Sequence, residues 1–149
     1  MQITYTDISL RLIIATVLGG LIGLERQVHG KAAGFRTYSM VALGSALIMI
    51  VSIQIALIYQ IPGTDPSRIA AQVVTGIGFL GAGAIIRFPQ GNLEGIKGLT
   101  TAAGIWSSAG IGLACGLGSW FAAALATILM LVILLIFSRI DRIIEEKKI

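Results

Sequence analysis

Polar side chains that could handle an ion or hold a partner recur along one apolar stretch in the middle of the chain. At 100° per residue, Arg68, Gln72 and Thr75 lie with Phe79 within a wedge of about 60° on a helix. The 18 uncharged residues between Arg68 and Arg87 span about 27 Å as a helix, close to the hydrocarbon thickness of a bilayer. Because lipid offers polar side chains no hydrogen bonds, this polar stripe is predicted to face protein or water.

A second group of polar side chains lies further along the chain, where hydroxyls are the polar groups of a long uncharged run. Its members are Thr100, Thr101, Ser107 and Ser108. A divalent cation that holds its water tightly requires carboxylate oxygens, and all seven acidic residues fall at or beyond predicted helix ends. This distribution favours helix packing over a dedicated cation cage, and metal ligands stay unassigned.

The sequence contains no motif that would indicate the active site of a soluble enzyme. The segment GIGFLGAG resembles a dinucleotide-binding glycine loop, but no strand precedes it and no acidic ribose partner follows it. No convergent set of acid, base and nucleophile can be assembled from the polar residues. We therefore predict that the protein is not an enzyme and uses no cofactor.

Charged residues cluster at two further predicted helix ends. Glu25 and Arg26 end the first helix and Arg36 begins the second, so a carboxylate and two guanidinium groups are predicted to meet at the cytoplasmic surface. The alternative is a solvated loop whose cations only follow the positive-inside rule. Asp65 is predicted to cap the outer end of the third helix.

The composition indicates an integral membrane protein. Apolar residues make up 56% of the 149 and charged residues 12%, about half the charged share of a soluble domain. The last uncharged run, 98–138, holds 41 residues and is predicted to divide at Gly116–Ser119. The result is an all-α fold, a single transmembrane domain of five helices at about 8–24, 38–59, 66–87, 100–116 and 120–138.

The placement of the cations predicts the orientation. With the N-terminus outside, nine of the 11 Lys and Arg residues collect on the inner side, which leaves Arg11 and Arg68 outside. The C-terminus is then cytoplasmic, and the net charge of +4 follows from topology. The lipid bilayer is the predicted partner of this surface, and nucleic acid is not, because no basic recognition element is present.

Small residues on several helices predict close helix contacts. Gly104, Ser108, Gly112 and Gly116 form a ladder at four-residue spacing, and the first helix carries a glycine-rich side. Helices one, three and four are predicted to form the tight core, and the glycine faces predict a homodimer. The predicted packing glycines are Gly19, Gly20, Gly23, Gly78, Gly104 and Gly112.

Four segments together resemble a known family. They are GLIGLERQ at 20–27, AGFRT at 33–37, DPSRIAAQVVTGIGFLGAGAI at 65–85 and KGLTTAAGIW at 97–106. In this order they resemble the MgtC/SapB family of bacterial membrane proteins over about residues 10–137. Many members continue into a cytosolic ACT-like domain, so this chain is expected to be a short form.

The resemblance implies a multi-pass protein of the bacterial inner membrane that takes part in magnesium and ion homeostasis. The leading hypothesis is a regulatory or accessory role exercised through contacts with itself or with a membrane protein partner. The first alternative is a transporter or channel whose path follows the polar residues of helices three and four. The second alternative, implied by the virulence-associated branch, is modulation of the ATP synthase. That branch carries Asn and Cys where this chain has Thr100 and Ser107, so the chain is closer to the SapB side.

Overall fold

The computed structural model describes residues 3–59, 65, 67–90 and 93–139, and these form mainly helices. Within that part of the chain five α-helices are joined by short connections, a two-stranded hairpin and a final π-helical turn. The elements in order are α1 (Tyr5–Val28), α2 (Phe35–Tyr59), α3 (Ser67–Gly83), β1 (Ile86–Gln90), β2 (Leu93–Lys97), α4 (Leu99–Leu117), α5 (Trp120–Val132) and the π-helical turn Ile133–Phe137.

Of the helical segments in the described ranges, three are long and apolar enough to cross a membrane: Tyr5–Val28, Phe35–Tyr59 and Trp120–Phe137. The third helix has only 17 residues, and α4 is rich in Gly, Ser and Thr. Five helices are therefore confirmed for the described chain, whereas five crossings and an outside N-terminus stay predictions. The predicted division of the last run is also confirmed, because α4 ends at Leu117 and α5 begins at Trp120.

Small residues bring α1, α2 and α4 into close contact. An added Cβ at Gly19 of α1 would lie 2.6 Å from the Tyr38 carbonyl oxygen and 2.7 Å from the Ala42 Cβ of α2. A Cβ at Gly112 of α4 would likewise meet the Ala42 carbonyl oxygen and lie 2.8 Å from the Ser45 Cβ. The start of α2 thus contacts glycines of both α1 and α4, at separations that only helices with small residues reach.

The prediction that helices one, three and four form the core is wrong for helix three, because α2 takes its place. The close contacts join α1, α2 and α4, and α3 packs at the edge, against α4 and α2. The physical reason lies in α2, where Ala42, Ser45 and Ala46 supply a small-residue face that fits the ladder of α4. A Cβ at Gly81 of α3, by comparison, would lie at an ordinary 3.8 Å from Ala102.

The segment after α3 corrects the purely helical prediction. Helix three was expected to continue to Arg87, but it ends at Gly83, and an antiparallel hairpin pairs Ile86 with Lys97 and Gln90 with Leu93. Pro89 explains the change, because proline cannot continue a helix and disfavours helical dihedrals at the residue before it. A two-stranded hairpin accepts proline because both of its strands are edges.

Arg11 lies near the opposite end of the bundle and caps α4. Its Nη1 donates to the carbonyl oxygen of Gly116 at 2.7 Å, in the last turn of that helix. A cation at a helix C-terminus is favoured by the unpaired carbonyl groups and by the helix dipole. The guanidinium therefore ties α1 to α4 beside Gly118, where a Cβ would lie 3.0 Å from Nη2.

Candidate functional site

The described part of the chain contains a large cavity at the end of the bundle that carries most of its cations, called here the basic end. Its volume is about 1080 Å³, and it is open on one side. The wall combines polar or cationic residues from the end of α1, the α1–α2 connection, β2, the start of α4 and the end of the π-helical turn with apolar residues from α1, β1 and the π-helical turn. The polar lining is Arg26, His29, Lys31, Lys97, Thr100, Thr101 and Ser138, and the apolar lining includes Val28, Ile86, Ile133, Leu134 and Phe137.

The end of α1 positions the first part of this wall. Gly30 adopts a left-handed conformation with φ of 62°, which a glycine reaches without a steric penalty. This lets the Lys31 amide return to the Arg26 carbonyl oxygen at 3.0 Å and the Gly30 amide to that of Gln27 at 3.0 Å. The pattern is a Schellman termination, and it places Lys31 at the cavity wall directly after the helix.

Glu25 and Arg26 form a buried ion pair beside the cavity. The Arg26 Nε donates to Glu25 Oε2, and its Nη2 donates to Oε1 at 2.7 Å. The two side chains are only 4% and 8% exposed. His29 adds a contact, with Nδ1 at 3.1 Å from Glu25 Oε1. Arg36 is exposed and makes no ion pair with a described residue, so two of the three predicted cluster members meet.

The start of α4 forms the next part of the wall. Gly98 has φ of 93°, and a Cβ there would overlap the Ala84 carbonyl oxygen, so only glycine fits this turn. No side chain caps the helix, and its first amide hydrogen bond is made by Ala102 to the Gly98 carbonyl oxygen at 2.8 Å. Thr100 is exposed at the cavity and Thr101 is buried.

Tyr38 is a central residue that the sequence analysis did not single out. It is fully buried, and its hydroxyl donates to the Thr101 carbonyl oxygen at 3.3 Å. The Ser108 hydroxyl donates in turn to the Tyr38 carbonyl oxygen at 3.3 Å. The signal was present, because Tyr38, Ala42 and Ala46 recur at four-residue spacing and a large side chain is needed to fill the space beside Gly104.

The polar stripe of α3 points away from the rest of the protein. Arg68, Gln72 and Thr75 are exposed, and Phe79 is 83% exposed. The buried residues of α3 are Ala70, Val73, Ile77 and Gly81. At 100° per residue the two sets lie on opposite sides of the helix. The stripe therefore does not meet the polar residues of α4 within one copy of the chain.

The remaining predicted residues divide between close contacts and open positions. Ser107 is half-buried. Those in close contact with a neighbouring helix or loop are Gly19, Gly20, Gly23, Gly104 and Gly112, whereas Gly78 has no such neighbour within 4 Å. Within one copy of the chain Gly78 therefore packs against no other helix, because it lies outside the buried face of α3. The Asp65 carboxylate accepts from the Ser67 amide at 2.8 Å, and hydrogen bonds from Ser67 lower the pKa of Asp65.

The arrangement supports two kinds of chemistry. Among the described residues no group of three His, Cys, Asp or Glu side chains is placed to hold a metal ion. The basic cavity instead offers cations, hydroxyls and an apolar wall to an anionic molecule. The outward stripe of α3 offers hydrogen bonds and a guanidinium to a second polypeptide or to water.

Comparison with known proteins identifies the relatives of the chain. The family model described as the MgtC family matches residues 12–143. An uncharacterized protein of Haemophilus influenzae is 45% identical over 92% of the chain and 58% of its own length. The putative magnesium transporter YhiD of Escherichia coli K12 is 46% identical over 88% of the chain and 60% of its own length. Protein MgtC of Salmonella typhimurium is 48% identical over 82% of the chain and 48% of its own length.

The chain spans about half to three-fifths of the length of these relatives. No solved structure matches it. The match to the family model nevertheless covers all but the first 11 and the last six residues. The chain therefore belongs to the MgtC family.

Proposed function

We propose that this chain is a multi-pass protein of the bacterial inner membrane with a regulatory or accessory role in magnesium homeostasis, exercised through helix contacts with a second copy of itself. The observation that carries the proposal is the outward polar face of α3, defined as Arg68, Gln72 and Thr75. A polar face at membrane depth is costly against lipid and is stabilised by covering it with protein. The magnesium link rests on the printed name of the YhiD relative.

A second copy fits this face better than an unlike protein, for a chemical reason. The amide of Gln72 carries both donors and an acceptor, so two copies related by a two-fold axis near it satisfy each other. Gly76 and Gly83, with no neighbour within 4 Å, flank the polar face and allow a second helix to approach closely. Contact between the polar faces of the two copies then removes the free-energy cost of exposing the Gln72 amide to lipid.

A second candidate is a path for magnesium along the same face, between two copies. The name of the YhiD relative favours it. Within one copy, however, the α3 stripe is turned away from the buried Thr101 and Ser108 of α4. The described residues also offer no cluster of carboxylates that would replace the water shell of the ion. These observations support the regulatory role over the path.

Flux through the purified protein separates the two candidates. We expect proteoliposomes that contain the protein alone to take up no more magnesium than empty liposomes, because the face has no carboxylate that could replace the water shell of the ion. The same protein is expected to restore growth under magnesium limitation to a strain that lacks it, and Gln72→Leu to abolish that growth at unchanged protein level. Val74→Leu is the control, because Val74 is exposed but lies about 100° around the helix from Thr75 and thus outside the face. Magnesium uptake that disappears in Gln72→Leu would overturn the regulatory role.

A further inference from the structure

The basic cavity has the size and lining of a binding site for an organic anion. Its volume of about 1080 Å³ lies at the upper end of the range of small-molecule sites, of order 300–1,000 Å³, and far exceeds what a bare ion needs. Because three chain segments distant in sequence form its wall, it is a product of the fold and not of one loop.

The charged residues that line the cavity are basic. They are Arg26, Lys31 and Lys97. Arg26 pairs with Glu25, whereas Lys31 forms no ion pair with a described residue. Arg26 is only 3% exposed. Its two hydrogen bonds to Glu25 use two of the five guanidinium N–H groups.

The start of α4 adds directed donors to this charge. Its first-turn amides have no side-chain cap, and the hydroxyl-bearing residues Thr100 and Thr101 line the same wall. Amides at a helix N-terminus, hydroxyls and nearby cations together favour the oxygens of a phosphate group. A carboxylate would use fewer of these donors, because it has two oxygens where a phosphate has three or four.

The remaining wall is apolar and lies where a lipid would reach it. Ile133 and Phe137 are 49% and 55% exposed, and they follow directly on the apolar helix α5. A cavity with cations at one side and exposed aliphatic and aromatic groups at the other matches an anionic phospholipid, whose headgroup and chains have the same order.

We propose that the basic cavity binds a phosphate group, carried either by an anionic phospholipid or by a soluble phosphate compound. Lys31 supplies the cation most easily tested, because it is exposed on the connection after α1 and its one recorded hydrogen bond is made by its backbone. This site is independent of the polar face of α3 and of the role proposed for it.

Titration calorimetry of the full chain in a neutral detergent tests the proposal. One arm adds dioctanoyl phosphatidylglycerol, the other inorganic phosphate, and we expect saturable binding of one site per chain in at least one arm. Lys31→Glu is expected to weaken that binding about tenfold or more, because it removes one attraction and adds one repulsion. Arg36→Glu is the matched control, since it makes the same change of charge at an exposed position that does not line the cavity.

A further variant distinguishes the two sources. Phe137→Ala shortens the apolar wall, and weaker binding of the lipid with unchanged binding of inorganic phosphate identifies a headgroup site with chains along the wall. Binding of inorganic phosphate that depends on Lys31 and not on Phe137 identifies a soluble ligand. The proposal is overturned if neither probe binds saturably, or if Lys31→Glu weakens binding no more than Arg36→Glu does.

Discussion

Replacing Gly112 by alanine is expected to destabilise the helix bundle by about 3 kcal/mol, at the upper end of the cost of overpacking. The added methyl group would overlap the Ala42 carbonyl oxygen and lie 2.8 Å from the Ser45 Cβ. Backbone cannot rotate aside as a side chain does, so α2 and α4 must separate. Because Ala42 of α2 also contacts Gly19 of α1, the shift would disturb α1 as well. Chemical denaturation in a mild detergent measures the loss.

Gly110→Ala provides the control on the same helix. No atom lies within 4 Å of a Cβ at Gly110, so the change adds no clash. Alanine also has the higher helix propensity, by about 1 kcal/mol, and this variant is expected to be as stable as the parent or slightly more stable. Equal stability of Gly112→Ala and Gly110→Ala would contradict the close contact between α2 and α4.

Removing the carboxylate of Glu25 is expected to cost a similar amount, about 3 kcal/mol. In Glu25→Ala the guanidinium of Arg26 stays 4% exposed without its partner, and an uncompensated buried charge is strongly destabilising. His29 would lose its contact with the same carboxylate. Thermal unfolding in detergent gives the comparison, with Arg36→Ala as the control because Arg36 is exposed.

The double variant Glu25→Ala with Arg26→Ala sharpens this test. Since it removes both charges, it is expected to recover part of the stability that the single Glu25→Ala variant loses. Two results would contradict a stabilising interaction between Glu25 and Arg26. One is a Glu25→Ala variant as stable as Arg36→Ala, and the other is a double variant whose loss of stability equals the sum of the losses in Glu25→Ala and Arg26→Ala.

The helices could be predicted from charge gaps, but their partners could not. Gaps between charges and the turn residues at Gly116–Ser119 divide the chain correctly into five helices. Glycine spacing identifies a face that allows close approach, yet it does not say which helix approaches it. The glycines of α3 and α4 read alike in sequence, and only the small-residue face of α2 decides that α4 enters the core. The sequence analysis missed the hairpin because Pro89 was interpreted as part of a turn, whereas it lies in strand β1.

The candidate site was less accessible to sequence reasoning than the fold. Polar residues on α3 are visible as a stripe in the sequence. Their outward direction follows from the opposite, apolar face of α3, which packs against α4 and α2. The basic cavity joins the end of α1, the start of α4 and the π-helical turn, which are far apart in the chain. Lys31 and Lys97 therefore look like ordinary loop cations until the packing of these three segments is known.

Disulfide crosslinking through α3 in native membranes tests most directly whether its polar face meets a second copy of the chain. In a Cys115→Ala background, which removes the one native cysteine, single cysteines replace Gln72, Thr75 or Val74. We predict oxidised dimers for Gln72→Cys and Thr75→Cys. Val74→Cys is expected to remain monomeric, because Val74 is exposed but lies about 100° around the helix from Thr75. Monomers at all three positions, or dimers formed equally well by Val74→Cys, would contradict the account.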